Sequence, residues 1–277
     1  IEIEGGEGVG RFTLPGFDFP PGEAAINRVP RAMIKQNILA TVSPAQLPAD
    51  AVLRVTISVP GGEDIAHKTF NPRLGIAGGI SIIGVSGIIK PFSEEAFIES
   101  IRKCMQVAKA AFGATAKAQE VHIVINSGAK SERYVRQLYP DLPAQAFVEY
   151  GNYIGETLNI ANELAVGRVT LGVMLGKAVK LAAGQLDTHS RRATMDKAFI
   201  SQMLNEAHCD AATMAAPYTL ARELWDIIPK EKREDFVNVV ISHCAAHCDP
   251  LLPHGYLTIL LIDDEGHVYR KKQKEES

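Results

Sequence analysis

Three short runs place glycine and a polar side chain directly after apolar, strand-like segments. They are Asn126-Ser127-Gly128 after 121–125, Gly151-Asn152 after 146–150, and Gly172 followed by Gly176-Lys177 after 168–171. Glycine lets a ligand come close to the backbone, and amides at a helix start can hold carboxylate or hydroxyl groups. In an open parallel sheet, ligands bind in the crevice beyond the carboxyl ends of the strands. If these three strands are neighbours, an adenosyl-type cofactor is expected against Asn126, Gly128, Gly151 and Asn152. Glycines that merely turn the chain are the competing account of any single run.

Lys177 and Lys180 lie three apart and share one helical face. Just beyond Gly184, the run Asp187-Thr188-His189-Ser190-Arg191-Arg192 concentrates titratable and hydrogen-bonding groups. Ammonium and guanidinium groups in such numbers suit carboxylate recognition, although a solvated helix face with a polar loop would have the same composition. In the first third of the chain, Thr69-Phe70-Asn71-Pro72-Arg73-Leu74-Gly75-Ile76-Ala77-Gly78-Gly79-Ile80-Ser81-Ile82 is both apolar and glycine-rich. Backbone pressed against a ligand or a second domain accounts for both properties, and Arg73 is placed to meet an anion there. A plain surface charge is the alternative for that arginine.

Two other motifs fall short of chemistry. Gly5-Gly6-Glu7-Gly8-Val9-Gly10 does not match Gly-x-Gly-x-x-Gly, and the residues after it do not open a helix, so no dinucleotide fingerprint is present. His243 and His247 are spaced i,i+4 beside Cys244 and Cys248, but no second ligand pair accompanies them. They are expected to be packing and helix-end partners, with no metal site.

The elements that must position these groups form two textures. Residues 1–90 are rich in Gly and Pro with short apolar runs such as 51–59, and suggest a Gly-rich α+β domain. From residue 91 onward helices and strands alternate. Ser93 can cap a helix carrying Phe97, Ile101, Cys104, Met105, Ala108 and Phe112 on one face, with Gly113 as its stop. Strands are expected at 121–125, 146–150, 168–171 and 257–262, with helices between and a mainly helical stretch over 194–248. Alternation with short links implies a parallel sheet. The expected fold class is therefore multi-domain α/β, with a Gly-rich α+β domain over 1–90 and a Rossmann-like three-layer α/β/α domain over 91–277.

Composition removes several classes of function. An apolar share of 46 % with 22 % charged residues fits a globular chain with an aliphatic core. A formal net charge of -3 offers no strong counterion release, so no nucleic-acid partner is expected. The most apolar stretch, 74–89, is broken by five glycines and falls short of the roughly 20 residues needed to cross a bilayer, so no membrane partner is expected either. Four cysteines without framework spacing suggest free thiols in a reducing cytoplasm.

Residues 69–76 with Gly78-Gly79-Ile80-Ser81-Ile82-Ile83-Gly84 resemble the central signature of the CbiD family, the cobalt-precorrin-5B C(1)-methyltransferases. Ala25-Ile26-Asn27 with Val29-Pro30-Arg31, Ser86-Gly87-Ile88 with Pro91, and Gly176-Lys177 with Lys180-Leu181-Ala182 and Thr188-His189-Ser190 are similar to further family motifs, so that the resemblance runs from Ile1 to about Arg192. Arg28, Val85, Met174 and Asp187 depart from it. The family's amino-terminal segment, with a Thr-Thr-Gly motif, is expected upstream of Ile1.

The resemblance implies transfer of a methyl group from S-adenosylmethionine to ring carbon 1 of cobalt-precorrin-5B, in anaerobic cobalamin synthesis. Cobalt would enter only as part of the corrin substrate. A flat macrocycle edged with carboxylates needs a broad groove between domains, with Arg31, Arg73, Gly78, Gly79, Lys177 and Lys180 as substrate-binding residues and His189 as a proton-handling group. The 1–90 domain would be the substrate side. A homo-oligomer, or contact with other enzymes of the pathway, is compatible with this role. A non-catalytic corrinoid carrier and a nucleotide-dependent oxidoreductase are the alternative functions.

Overall fold

A computed structural model describes residues 1–43, 47–84, 94–113, 116–189 and 192–271. Val85, Ser86, Gly87, Ile88, Pro91, the Ser93 cap, Ser190 and Arg191 lie outside them. The chain is mixed α/β and divides into two compact units, Ile1–Ala111 and Phe112–Ser277. The expected junction at 90/91 therefore shifts to the end of a helix, because Val107 of that helix packs with Phe12, Ala25, Leu74 and Ile76 in the core of the first unit.

In the first unit, β1 (Glu2–Gly5) runs parallel to β3 (Arg54–Ile57), and β2 (Arg11–Phe12) pairs antiparallel with β4 (Ile76–Ala77). The apolar run 51–59 yields only four paired residues because its partner is four residues long. Helices α1 (Arg28–Thr41), α2 (Gly62–Ala66), α3 (Asn71–Leu74) and α4 (Glu94–Ala111) complete it. Ile3, Val9, Ala24 and Ile26 form a second buried cluster, joined by Ile57, Val59 and Ile82. In α4 the residues Ile101, Met105 and Ala108 are buried at helical spacing, with Glu94 and Glu95 in the first turn at the positive end of its dipole.

The second unit is built on β5 (His122–Asn126), β6 (Phe147–Glu149), β7 (Arg168–Met174), β8 (Tyr256–Ile262) and β9 (Val268–Arg270), in the spatial order β6-β5-β7-β8-β9. The first four are mutually parallel and β9 is antiparallel to β8. β5 is buried along its whole length, as a strand flanked on both sides by parallel neighbours must be. β7 outruns its expected end by three residues because it pairs with β8 from Arg168↔Tyr256 to Met174↔Ile262. After β8 the chain turns in a hairpin into β9, fixed by the buried Asp263, whose Oδ1 accepts the amides of Glu265, Gly266 and His267.

Helices α5 (Ala129–Leu138), α6 (Ile154–Glu163) and α7 (Leu175–Ala182) follow β5, β6 and β7 directly. The stretch 194–248 forms α8 (Lys197–Glu206), α9 (Ala211–Ala215), α10 (Ala221–Ile227) and α11 (Arg233–Cys248), with Asp196 and Asp210 capping the first two through the amides of Phe199 and Thr213. Among the described residues no helix is long and apolar enough to cross a membrane.

Candidate functional site

The chain leaves β5 toward β6 on one side and returns to β7 on the other. The strand order therefore reverses at β5, and the turns after β5, β6 and β7 open on one edge of the sheet. A crevice forms beyond the carboxyl ends where such an order reverses. Asn126 pairs in register with both Glu149 and Gly172, which ties the first turn to its two neighbours.

Each turn is held by its own bonds. Asn126 is fully buried; its side-chain carbonyl accepts the Gly128 amide at 3.0 Å and its amide group donates to the Val148 carbonyl at 3.3 Å. It therefore shapes the turn. Gly128 has φ 136, a conformation that side-chain-bearing residues avoid, and α5 starts immediately after it. A Cβ built there would meet within 4 Å only the Glu149 carboxylate, with Oε1 at 3.5 Å. The Tyr150 amide donates to the Asn126 carbonyl at 2.8 Å, and the Thr188 amide donates to the Asn152 carbonyl at 3.0 Å. The segment carrying His189 is thereby fastened beside the turn after β6.

Lys177, in the first turn of α7, donates from Nζ to the Gly151 carbonyl and lies 5.5 Å from the Tyr150 ring centroid. Burial lowers its pKa from the ordinary lysine range to about 8, with Lys180 adding to the drop and the Glu149 and Asp187 carboxylates opposing it. Beneath it, Tyr150 is fully buried, and burial raises its phenol well above the usual range. The Asp187 carboxylate accepts the His189 amide at 3.0 Å through Oδ1 and pairs with Arg192 at 3.0 Å through Oδ2. The structure thus gathers Gly128, Gly151, Asn152 and Lys177 at one edge, with Asn126 beneath them, Lys180 one turn further along α7, and His189 on the adjoining loop. Sequence reasoning missed Glu149, Ser127 and Tyr150. The signal for Glu149 was present: it is an acid closing a strand about 20 residues after the glycine turn.

The first unit treats its predicted residues differently. Arg31 donates to the carbonyls of Ile26 at 2.8 Å and Ala24 at 3.1 Å, pairs with Glu23 and covers the Phe19 ring. These bonds tie its guanidinium to the loop before α1. Gly79 is buried against Gly8 of the same unit; a Cβ there would lie 2.2 Å from the Gly8 carbonyl oxygen. The close approach read from its glycines is backbone on backbone, not backbone on ligand. Gly78, at φ 80, faces open space, and Arg73 is exposed in the last turn of α3. Asn71 locks this segment by donating to the Gly79 carbonyl and accepting from the Ser81 hydroxyl.

His243 and His247 do not converge. His243 Nε2 lies 2.7 Å from the Glu206 carboxylate, and the His247 ring fills the space beside Gly184. The four cysteines are free thiols. Among the described residues, Asp263, Glu265 and His267 form one group with mutually close ligand atoms, but the Asp263 carboxylate is occupied by the amides and side chains of its own hairpin.

Comparison with known proteins bears on the whole chain. The CbiD family profile matches residues 1–91, and the profile of the CbiD C-terminal domain matches residues 187–272. The likeness thus continues well beyond Arg192, where recognisable motifs stop. A cobalt-precorrin-5B C(1)-methyltransferase of Prosthecochloris aestuarii is 42 % identical over 265 residues, covering 95 % of this chain and 69 % of the relative. That of Geobacillus kaustophilus is 46 % identical over 216 residues, covering 78 % and 56 %. A 1.9 Å crystal structure of a cobalamin biosynthesis protein (cbiD) from Archaeoglobus fulgidus is 27 % identical, covering 69 % of this chain and 55 % of that one, with a TM-score of 0.27. The chain belongs to the CbiD family and spans 56–69 % of the length of the two curated relatives.

Proposed function

We propose that this chain carries out S-adenosylmethionine-dependent methylation of ring carbon 1 of cobalt-precorrin-5B, giving cobalt-precorrin-6A, in anaerobic cobalamin synthesis. Relatives named for this reaction at 42 % and 46 % identity support the reading. The single structural observation that carries it is the meeting of two glycine-bearing turns, at Gly128 after β5 and Gly151 after β6, with the start of α7 where the strand order reverses at β5; Gly172 and Gly176, expected in a third such turn, lie inside β7 and α7. The second unit is read as Rossmann-like and three-layered, supported by its run of four parallel strands joined through α5, α6 and α7.

The donor supplies an electrophilic methyl group on sulfur. The chain's part is to position and to desolvate. An adenosyl group would lie against the Gly128 turn, with Gly151 and Asn152 on the neighbouring turn and Asn126 holding the turn beneath. Lys177 and Lys180 would present ammonium groups to carboxylates at the macrocycle edge; Arg73 and Gly78 are read as substrate-binding residues of the first unit. His189, held by its amide on Asp187, would take up or deliver a proton at its imidazole. Cobalt is part of the substrate, and the protein acts in the cytoplasm on a small molecule, alone or with copies of itself or other enzymes of the pathway.

Incubation with cobalt-precorrin-5B and isotopically labelled S-adenosylmethionine under anoxic conditions tests the reading. A corrin product heavier by one labelled methyl group is expected. Retention of unmodified corrinoid, with no calorimetric response to S-adenosylmethionine, would identify a carrier instead.

A further inference from the structure

Gly176 is the second residue of α7, directly beyond the carboxyl end of β7, and it is half-buried. Glycine weakens a helix, because it loses more backbone freedom on folding than any other residue, so a helical glycine calls for a reason. Neither of the usual internal reasons applies here. Its φ is not positive, and a Cβ built on it would meet, within 4 Å, the Ala221 Cβ alone, at 3.6 Å, which is ordinary contact. The other described glycines of the second unit each have such a reason. At Gly151 and Gly184, for example, φ is positive, while a Cβ would lie 3.0 Å from Leu186 at Gly155 and 2.5 Å from Val135 at Gly172. Gly155 is the nearest parallel, being likewise the second residue of a helix that follows a parallel strand.

The surroundings of this bare Cα are apolar on one side and cationic on the other. Ala221 opens α10, and Leu220 before it is 60 % exposed although its amide is fixed by a bond to the Glu223 carboxylate at 3.0 Å. Lys180 stands four residues beyond Gly176 on the same face of α7, and Cα–Cβ bonds tilt toward a helix's N-terminus, so its stem sets out toward the glycine. Lys177, beside Gly176, bonds the Gly151 carbonyl and so stands between this corner and the turn after β6. A carboxylate held at Lys180 therefore belongs to a molecule whose body passes over Gly176 and the corner formed by Ala221 and Leu220. A flat ring edged with carboxylates has that form. Its apolar face gains from wide, close contact, which a bare Cα and short side chains permit.

We propose that Gly176 is a specificity-determining residue for the methyl acceptor, its bare Cα forming with Ala221 and Leu220 the shelf on which the flat face of the corrin ring lies. The assignment rests on the reading of this chain as a corrin methyltransferase, and adds which surface of the second unit receives the ring. A methyl group at position 176 leaves the chain's own packing intact but lifts the ring off the shelf.

Gly176→Ala separates what the chain needs from what the ligand needs. Its urea midpoint should lie at or above that of the wild type, because alanine restrains the unfolded chain and meets no clash, whereas Gly155→Ala should lower the midpoint. Cobalt-precorrin-5B, titrated without oxygen and followed by its absorbance, should bind Gly176→Ala weaker by about tenfold or more. S-adenosylhomocysteine, followed by calorimetry, should bind it within about twofold of the wild type. Leu220→Ser should weaken the corrin by about threefold or more and leave S-adenosylhomocysteine unchanged. Folded Gly176→Ala that binds the corrin as the wild type does overturns the assignment. So does a lowered urea midpoint in Gly176→Ala, which would give the glycine a structural reason, and so does a loss shared by, or confined to, S-adenosylhomocysteine. If the wild type binds no cobalt-precorrin-5B at all, the corrin reading falls first, and this assignment with it.

Discussion

In the first unit Gly8 and Gly79 bring backbone against backbone, so that a methyl group at position 79 would sit 2.2 Å from the Gly8 carbonyl oxygen. In the second, Gly128 faces only the Glu149 carboxylate at 3.5 Å. The two positions read alike in the sequence, as glycine among apolar residues. One is needed because another part of the chain already fills the space; at the other an added methyl group would meet only a side chain, at ordinary contact distance. The difference teaches that a glycine-rich signature marks close approach without saying what approaches. Neighbouring strands decide that, and among the described residues it is the second unit that has glycine turns gathered at a reversal of strand order.

The contrast can be broken by substitution. Gly79→Ala should show the largest loss of stability, about 3 kcal/mol or more, since the clash is with backbone that cannot rotate away. Urea denaturation checks it, and a loss under about 1 kcal/mol would dissolve the distinction. Gly128→Ala should cost about 1–3 kcal/mol through its φ of 136. Its binding of S-adenosylhomocysteine should nevertheless fall more than tenfold, measured by calorimetry on the folded variant, because the methyl group enters the space assigned to the ligand. Gly78→Ala, next to Gly79 but facing open space at φ 80, should cost only about 1 kcal/mol. This neighbour separates the effect of backbone conformation from that of backbone contact.

Two titrations sharpen the comparison on the side of the second unit. Burial holds Lys177 near 8 against 10.5 for the free group, so between those values the unfolded chain carries more protons than the folded one. Stability from this group therefore rises with pH across that window, while its ammonium, and with it the attraction for substrate carboxylates, is lost as pH climbs past about 8. Lys177→Met should flatten both trends in parallel denaturation and binding series. The smallest effect is expected at His122, whose ring lies 2.9 Å from the Thr170 hydroxyl and whose pKa burial lowers to about 4, with Arg168 adding to the shift. Its contribution is present above 6.5 and lost as pH falls toward 4, because the unfolded chain takes up the proton first. His122→Gln should keep the bond to Thr170 and remove that slope.

Much of the second unit was legible because its signals are local. A buried parallel strand is a short apolar run, and a helix repeats its apolar residues every three to four positions, so β5 and β6, like α4 at the end of the first unit, emerge within a few residues of their observed ends. The glycine turns after β5 and β6 were legible for the same reason, whereas Gly172 was read as leaving a strand that in fact runs on to Met174. The full length of β7, the hairpin into β9 and the four-residue limit on β3 were not, since each is set by a partner strand distant in sequence.

Motifs in the sequence carried the resemblance to the family, and residue types with their spacing determined the alternation of helix and strand and which turns could meet a ligand. Tertiary structure alone decided that β5 lies between β6 and β7, that Arg31 binds its own loop, that Gly79 packs on Gly8, and that Glu149 reaches across Gly128. The physical reason is that propensity and hydrophobic period act over a few residues. The partner of a carboxylate, a guanidinium or a bare Cα is chosen by whichever distant segment the sheet order brings within about 4 Å.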